Sequence, residues 1–297
     1  MTRKGCIWGW LVGAAALLVV FLVTMVTVET ILGQHLSFPT YGARIGLVRV
    51  EGAIYDSRPL IEEMRWLAKD AGVKALLLRV DSPGGGAAAS QEIHDYIRGL
   101  QDEGMPVVVS MGSMAASGGY YIACSADTIV ANAGTLTGSI GVIMSFTNLQ
   151  ELFGKIGMDF EVIKSGRYKD TGSWSRQMTE DERALLQGTI DDIHSQFVEA
   201  VAEGRGMDFD SVAELADGRI FSGRQALEAG LVDTLGTLED AVAIAGRMGG
   251  IEGTPHVQEP VRRERLTLLD LLTGAASDIV APEAGHMGAH YIYRPSK

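Results

Sequence analysis

Short apolar runs alternate along the chain with stretches in which apolar positions recur every three or four residues. The runs at residues 44–50, 74–80, 107–111 and 128–131 lack a clear period of two, the pattern of strands covered on both faces. Residues 57–71 predict a helix capped by Ser57, with Pro59 in its first turn and Leu60, Met64 and Leu67 on one face. Residues 87–100 predict a second, aligned on Ile93, Ile97 and Leu100, and a short one should run through Ala123. A further strand is expected at 140–144, after Leu136-Thr137-Gly138-Ser139. Thr179 and Glu182 have capping-box spacing, and Leu186, Ile190, Ile193, Phe197 and Val201 mark one face of a long helix ending near Gly204. Shorter helices should follow around 211–216, 223–229 and 238–247, then a turn-rich stretch at 249–260. Strands alternating with helices predict an α/β fold, a parallel or mixed sheet covered by helices. With no second core in view, residues 37–280 read as one soluble domain, followed by a tail at 281–297 rich in Gly, His and Pro.

The start of the chain follows a different pattern. Arg3 and Lys4 precede residues 5–28, which carry no charge. At about 1.5 Å per residue, a helix over that run crosses a hydrocarbon core of about 30 Å. The alternative is a cleaved signal peptide, but Ala14, Ala15 and Ala16 lie inside the apolar run and its end lacks a small-x-small site. Residues 1–36 therefore read as a cytoplasmic stub and a single transmembrane anchor in the plasma membrane. The charge bias puts the bulk of the chain on the outer side.

Composition narrows the function. The net charge of −12 argues against a nucleic-acid partner. The basic cluster Arg262, Arg263 and Arg265 is broken by Glu264 and reads as a solvated helix edge. The two cysteines, Cys6 and Cys124, are placed too differently for a disulfide framework, and Cys124 reads as a small buried residue. No metal site or cofactor is expected.

The candidate chemistry starts at Met114-Ala115-Ala116-Ser117-Gly118-Gly119-Tyr120-Tyr121, where an apolar strand leads into a helix. A serine between small residues at such a turn is how a fold presents a nucleophile. Alone, it is more often a serine that merely satisfies a turn. Asp81-Ser82-Pro83-Gly84-Gly85-Gly86 reads as a tight loop after a buried strand, able to turn N–H groups toward a substrate oxygen. Gly84 and Gly118 are the candidate oxyanion donors, and a plain strand-to-helix turn is the alternative for the loop. No histidine lies between His94 and His194, so a base close downstream of Ser117 must be another residue. Lys169 is the candidate base. A free lysine, with a pKa of about 10.4, is protonated at neutral pH, so this role needs an apolar, dry site, to which Tyr168 and Trp174 would contribute. The alternative is a surface lysine paired with Asp170. Ser139 is placed to hold the lysine by a hydrogen bond or simply to form a turn. His94, beside Asp95, is expected to face solvent.

Four motifs in order, DSPGGG, MAASGGYYIAC, LTGSIGVI and KSGRYKD, resemble the signal peptide peptidase A family of membrane-anchored Ser/Lys peptidases, over about residues 44–242. The resemblance implies a Clp protease/crotonase-like spiral of βαβ units. It implies Ser117 as nucleophile, Lys169 as general base, Ser139 orienting the lysine, and Gly84 and Gly118 as oxyanion donors. It also implies a ring-like homo-oligomer whose neighbouring subunits complete each site, in which Lys169 serves the Ser117 either of its own copy or of a neighbour. The substrates implied are apolar peptides such as cleaved signal peptides at the membrane. The chain departs from the family at Trp174, where a proline usually follows the serine. A related protease cutting partner membrane proteins and a non-catalytic membrane scaffold are the rival functions. Acyl-CoA chemistry on the same fold needs neither Ser117 nor Lys169, and an outward-facing domain has no CoA supply.

Overall fold

The computed structural model describes Leu17, residues 42–260 and the backbone of residues 290–292. Apart from Leu17, the apolar segment 5–28 lies outside the described residues, as does the arginine cluster at 262–265. Among the described residues no helix is long and apolar enough to cross a membrane.

The apolar runs form a sheet of eight strands. Its centre is β1 (Arg44–Glu51), β2 (Val73–Ser82) and β4 (Val107–Ala116), all parallel. Strand β9 (His256–Gln258), inside the stretch expected to be turn-rich, extends the sheet beyond β1. Strand β4 forks. Its first half pairs with β5 (Thr128–Ala131), which continues to β8 (Thr234–Leu235). Its last three residues pair instead with β6 (Leu136–Gly138), which meets β7 (Ile220–Ser222) antiparallel. The α/β class with a parallel sheet is therefore as expected.

Both faces of the sheet are covered, which explains the unbroken apolar runs. Ile45, Leu47, Ala75, Leu77, Val108 and Val130 pack against Ala241 and Ala245 of one helix, α8 (Leu238–Met248). The alternating set, including Val48, Leu76, Leu78, Val107 and Val109, faces the larger core. That core receives α1 (Arg58–Ala68), α2 (Ala87–Asp102), α3 (Gly118–Ala123) and the end of α5 (Glu180–Arg205). Each fully buried Leu, Ile or Val contributes about 1.5–3 kcal/mol.

Helix α5 starts at the anticipated capping box, Thr179 with Glu182, and ends with Gly206 in the left-handed region. Between β6 and α5 the chain forms α4 (Gln150–Ile156), which the pattern did not indicate. Helices α6 (Phe209–Leu215) and α7 (Gly223–Glu228) follow α5.

Two expectations need correction. The strand near residue 140 is Leu136–Gly138, because β4 and β7 bond its two edges and the chain then leaves the ladder at Ser139, with φ 52°. Residues 84–86 are also not a free loop. They form β3 (Gly84–Gly86), bonded to Ile54 on one side and paired antiparallel with β10 (His290–Ile292) on the other.

Candidate active site

Strand β4 ends in a sharp elbow. Ser117 has φ 55° and ψ −118°, a region that an L residue adopts only when its surroundings impose it. Three contacts impose it here. The Ser117 N–H donates to the Gly138 carbonyl at 2.8 Å, and the Ser117 carbonyl accepts from Tyr121 N–H at 2.8 Å. A Cβ on Gly119 would stand 2.9 Å from the Ser82 carbonyl oxygen, so only glycine lets α3 sit this close to β2. Helix α3 is locked from below. Tyr120 donates its hydroxyl to the Leu231 carbonyl at 2.8 Å, and Tyr121 packs between His94 and Phe197. Burial pushes the Tyr121 phenol and the Cys124 thiol up to about 12, which leaves Cys124 inert.

Ser117 is 1 % exposed, and its hydroxyl has no hydrogen-bond partner among the described residues. Beside it, Ser139 has φ 52° and donates its N–H to the Arg219 carbonyl at 2.8 Å. Ser139 opens onto a cavity of about 460 Å³ lined by Val142, Ile190 and His194. An adjoining cavity of about 590 Å³ shares Ile190 and reaches Phe146 and Arg176.

The glycine segment borders the same elbow, since Ser82 pairs with Ala115 in β4. Gly84 has φ 98°, and its N–H donates to the Ser82 hydroxyl at 3.1 Å. Gly85 lies so close to Ile54 that a Cβ would fall 2.0 Å from its carbonyl oxygen. Among the described residues the Gly118 N–H has no acceptor. Asp81 has a role the sequence did not reveal. Its carboxylate accepts the N–H groups of Ser113 (3.3 Å) and Met114 (3.0 Å), where β4 leaves β2 for β6.

Among the described residues Lys169 makes no hydrogen bond to this cluster. It lies in an exposed turn, with its N–H on the Gly166 carbonyl at 3.2 Å and no side-chain partner among the described residues. The pairing with Asp170 does not form, because Asp170 is held by Arg176 and Lys164. Nor do Tyr168 and Trp174 make a dry site around the lysine. Tyr168 lies under the Arg167 guanidinium, and Trp174 packs edge-on against Phe153 and Phe160. The structure thus brings Ser117, Ser139 and the glycine segment together, and among the described residues no hydrogen bond joins Lys169 to them.

Among the described residues His94 and His194 supply no triad. His94 is buried at 8 % exposure against Tyr121, and does not face solvent, because its helix turns that face inward. His194 shares a cavity with Ser139 but bonds the Ala216 carbonyl through Nε2 at 2.8 Å.

The sequence model of Peptidase family S49 matches residues 99–250. A protein of Synechocystis named as a protease is 44 % identical over 237 residues, covering 80 % of this chain and 85 % of that one. The chloroplastic serine protease SPPA of Arabidopsis thaliana is 36 % identical over 237 residues, 79 % of this chain and 35 % of that longer protein. Among solved structures, a membrane-bound stomatin-specific protease superposes with a TM-score of 0.50 at 16 % identity, over 74 % of this chain and 98 % of that one. That likeness concerns the fold alone.

Proposed function

This chain belongs to peptidase family S49, and we propose that it cleaves apolar peptides at a membrane with a Ser/Lys dyad made of Ser117 and Lys169. The observation that carries this reading is the elbow at Ser117, a non-glycine residue at φ 55° whose hydroxyl is left without a partner. Strain of this kind is kept where it presents a reacting group.

In the proposed reaction a neutral Lys169 takes the proton from the Ser117 hydroxyl as its oxygen attacks the peptide carbonyl. The Gly118 N–H and the Gly84 N–H, which would leave the Ser82 hydroxyl, hold the negative oxygen. Lys169 then passes the proton to the departing amine, leaving an acyl ester on Ser117. Water, deprotonated by the same lysine, releases the second product and restores the serine. Ser139 holds the lysine in line.

Lys169 reaches Ser117 from a second copy of the chain. Its exposed turn belongs to a stretch that also exposes Ile156, Met158, Phe160, Val162, Ile163 and Trp174. Such a concentration of apolar surface asks for a partner. A neighbour's body would give the lysine the dry surroundings that its own chain does not. We assign residues 5–28 as the single membrane span, with the peptidase domain outside, a spiral of βαβ units within a homo-oligomer. Extended substrates, among them signal peptide remnants, would take the edge of β3 in place of β10.

The test is labelling of the full-length protein in detergent with a fluorophosphonate, followed by mass spectrometry of the adduct. Label on Ser117 that is absent in Ser117→Ala and strongly slowed in Lys169→Ala is the expected result. A folded wild type that takes no label would favour a scaffold instead.

A further inference from the structure

Residues 157–179, which carry Lys169, contain no helix or strand. A lysine on such a segment has no ladder of backbone bonds to fix it, yet proton transfer requires heavy atoms within about 2.6–3.2 Å. We infer that Arg176 is a positioning residue for Lys169, clamping the lysine's turn to the first turn of α5. The inference rests on the dyad reading above.

The contacts form a continuous chain. Arg176 Nε donates to Asp170 Oδ2 at 3.0 Å, and one Nη donates to the Asp170 carbonyl oxygen at 3.2 Å. The other Nη donates to Glu182 Oε2 at 2.9 Å and to the Gln177 carbonyl at 3.0 Å. Glu182 is itself fixed. It is 3 % exposed, accepts the Thr179 N–H at 2.9 Å within the capping box, and receives the Thr171 hydroxyl at 3.4 Å. It begins a helix whose later turns place Phe197 and Val201 in the core. Rigidity therefore passes from the core through α5, Glu182 and Arg176 to Asp170, the residue next to Lys169. Asp170 is held from its other side by Lys164. The turn is gripped at Asp170, while the Lys169 side chain stays exposed and unbonded among the described residues. That arrangement suits a base offered to another body. A planar guanidinium reaching two carboxylates in fixed directions does what an ammonium cannot.

The test compares full-length wild type, Arg176→Gln, Arg176→Lys, Lys169→Ala and the double variant Lys169→Ala/Arg176→Gln on one peptide substrate. Arg176→Gln should lower kcat by about a hundredfold with KM unchanged within about twofold. Arg176→Lys, which keeps the charge and loses the fork, should restore no more than about a tenth of wild-type kcat. In the Lys169→Ala background, where slow fluorophosphonate labelling of Ser117 gives the baseline, adding Arg176→Gln should cost nothing more. A further loss there, or near wild-type kcat in Arg176→Gln, would overturn the inference. Glu182→Gln opens the far end of the clamp and should show the same kcat loss, so poor folding of one variant does not remove the test. Full activity in Lys169→Ala would overturn the dyad itself, whereas inactive Lys169→Ala with active Arg176→Gln would remove only the clamp.

Discussion

Ser117 and Ser139 leave neighbouring strands at the same level, one step past the paired residues Ala116 and Gly138, and both are held in the left-handed region, at φ 55° and 52°. They are the only non-glycine residues with positive φ among the described residues. Two strained serines side by side, joined through the Ser117 N–H on the Gly138 carbonyl, form the corner on which the proposed chemistry depends.

The strain at the first of them is measurable. Ser117→Gly and Ser117→Ala should both abolish hydrolysis, but glycine relieves the backbone and alanine does not. Ser117→Gly should therefore exceed Ser117→Ala in stability by about 1 kcal/mol in urea unfolding. A less stable glycine variant would mean that the elbow carries no strain.

A Cβ at Gly85 has no room beside the Ile54 carbonyl, whereas one at Gly99, inside α2, meets nothing within 4 Å. Gly85→Ala should force β3 out of place and cost most of the activity. Gly99→Ala should raise stability by about 0.5–1 kcal/mol and leave activity intact. Equal behaviour of the two variants would contradict the fit of β3 against Ile54.

Ile163 is 95 % exposed, so its own chain gains little from it. Ile163→Asp should leave the unfolding midpoint unchanged, dissociate the oligomer in sedimentation velocity, and abolish hydrolysis. An intact, active oligomer would remove the apolar stretch from the interface.

The Arg176 guanidinium, with the Thr179 N–H, holds the Glu182 carboxyl down to about 2, and with Lys164 it holds Asp170 well below the usual carboxylate range. Both folded-state values are depressed. Their contribution to stability is then complete above the usual values of 4.5 and 3.8, and is lost as pH falls toward and through 2. Urea midpoints taken from pH 6 down to about 2 should fall less steeply in Arg176→Gln than in wild type. Parallel curves would mean that the clamp is not formed in solution.

Much of this was legible from local pattern. The central strands and the capping box of α5 are set by neighbours a few residues away, and the small residues around Ser117 mark its turn although Gly138 and Ser82 hold it. Features set by distant partners were not. β3 becomes a strand through Ile54 and β10, and β6 is a strand at Leu136 because β4 and β7 flank it there. His94 turns inward because Tyr121 packs on it. Lys169 was legible as a residue type in a motif, but its exposure, and the Arg176 clamp beneath it, depend on side chains that periodicity does not report.

The central claim is that Ser117 is activated by Lys169 of another copy, and co-expression of Ser117→Ala with Lys169→Ala tests it most directly. Each variant alone should be inactive. Mixed oligomers should regain about a quarter of wild-type hydrolysis, since random neighbours in a head-to-tail ring restore one intact pair in about four. Mixed oligomers as inactive as either parent would contradict a dyad shared between copies.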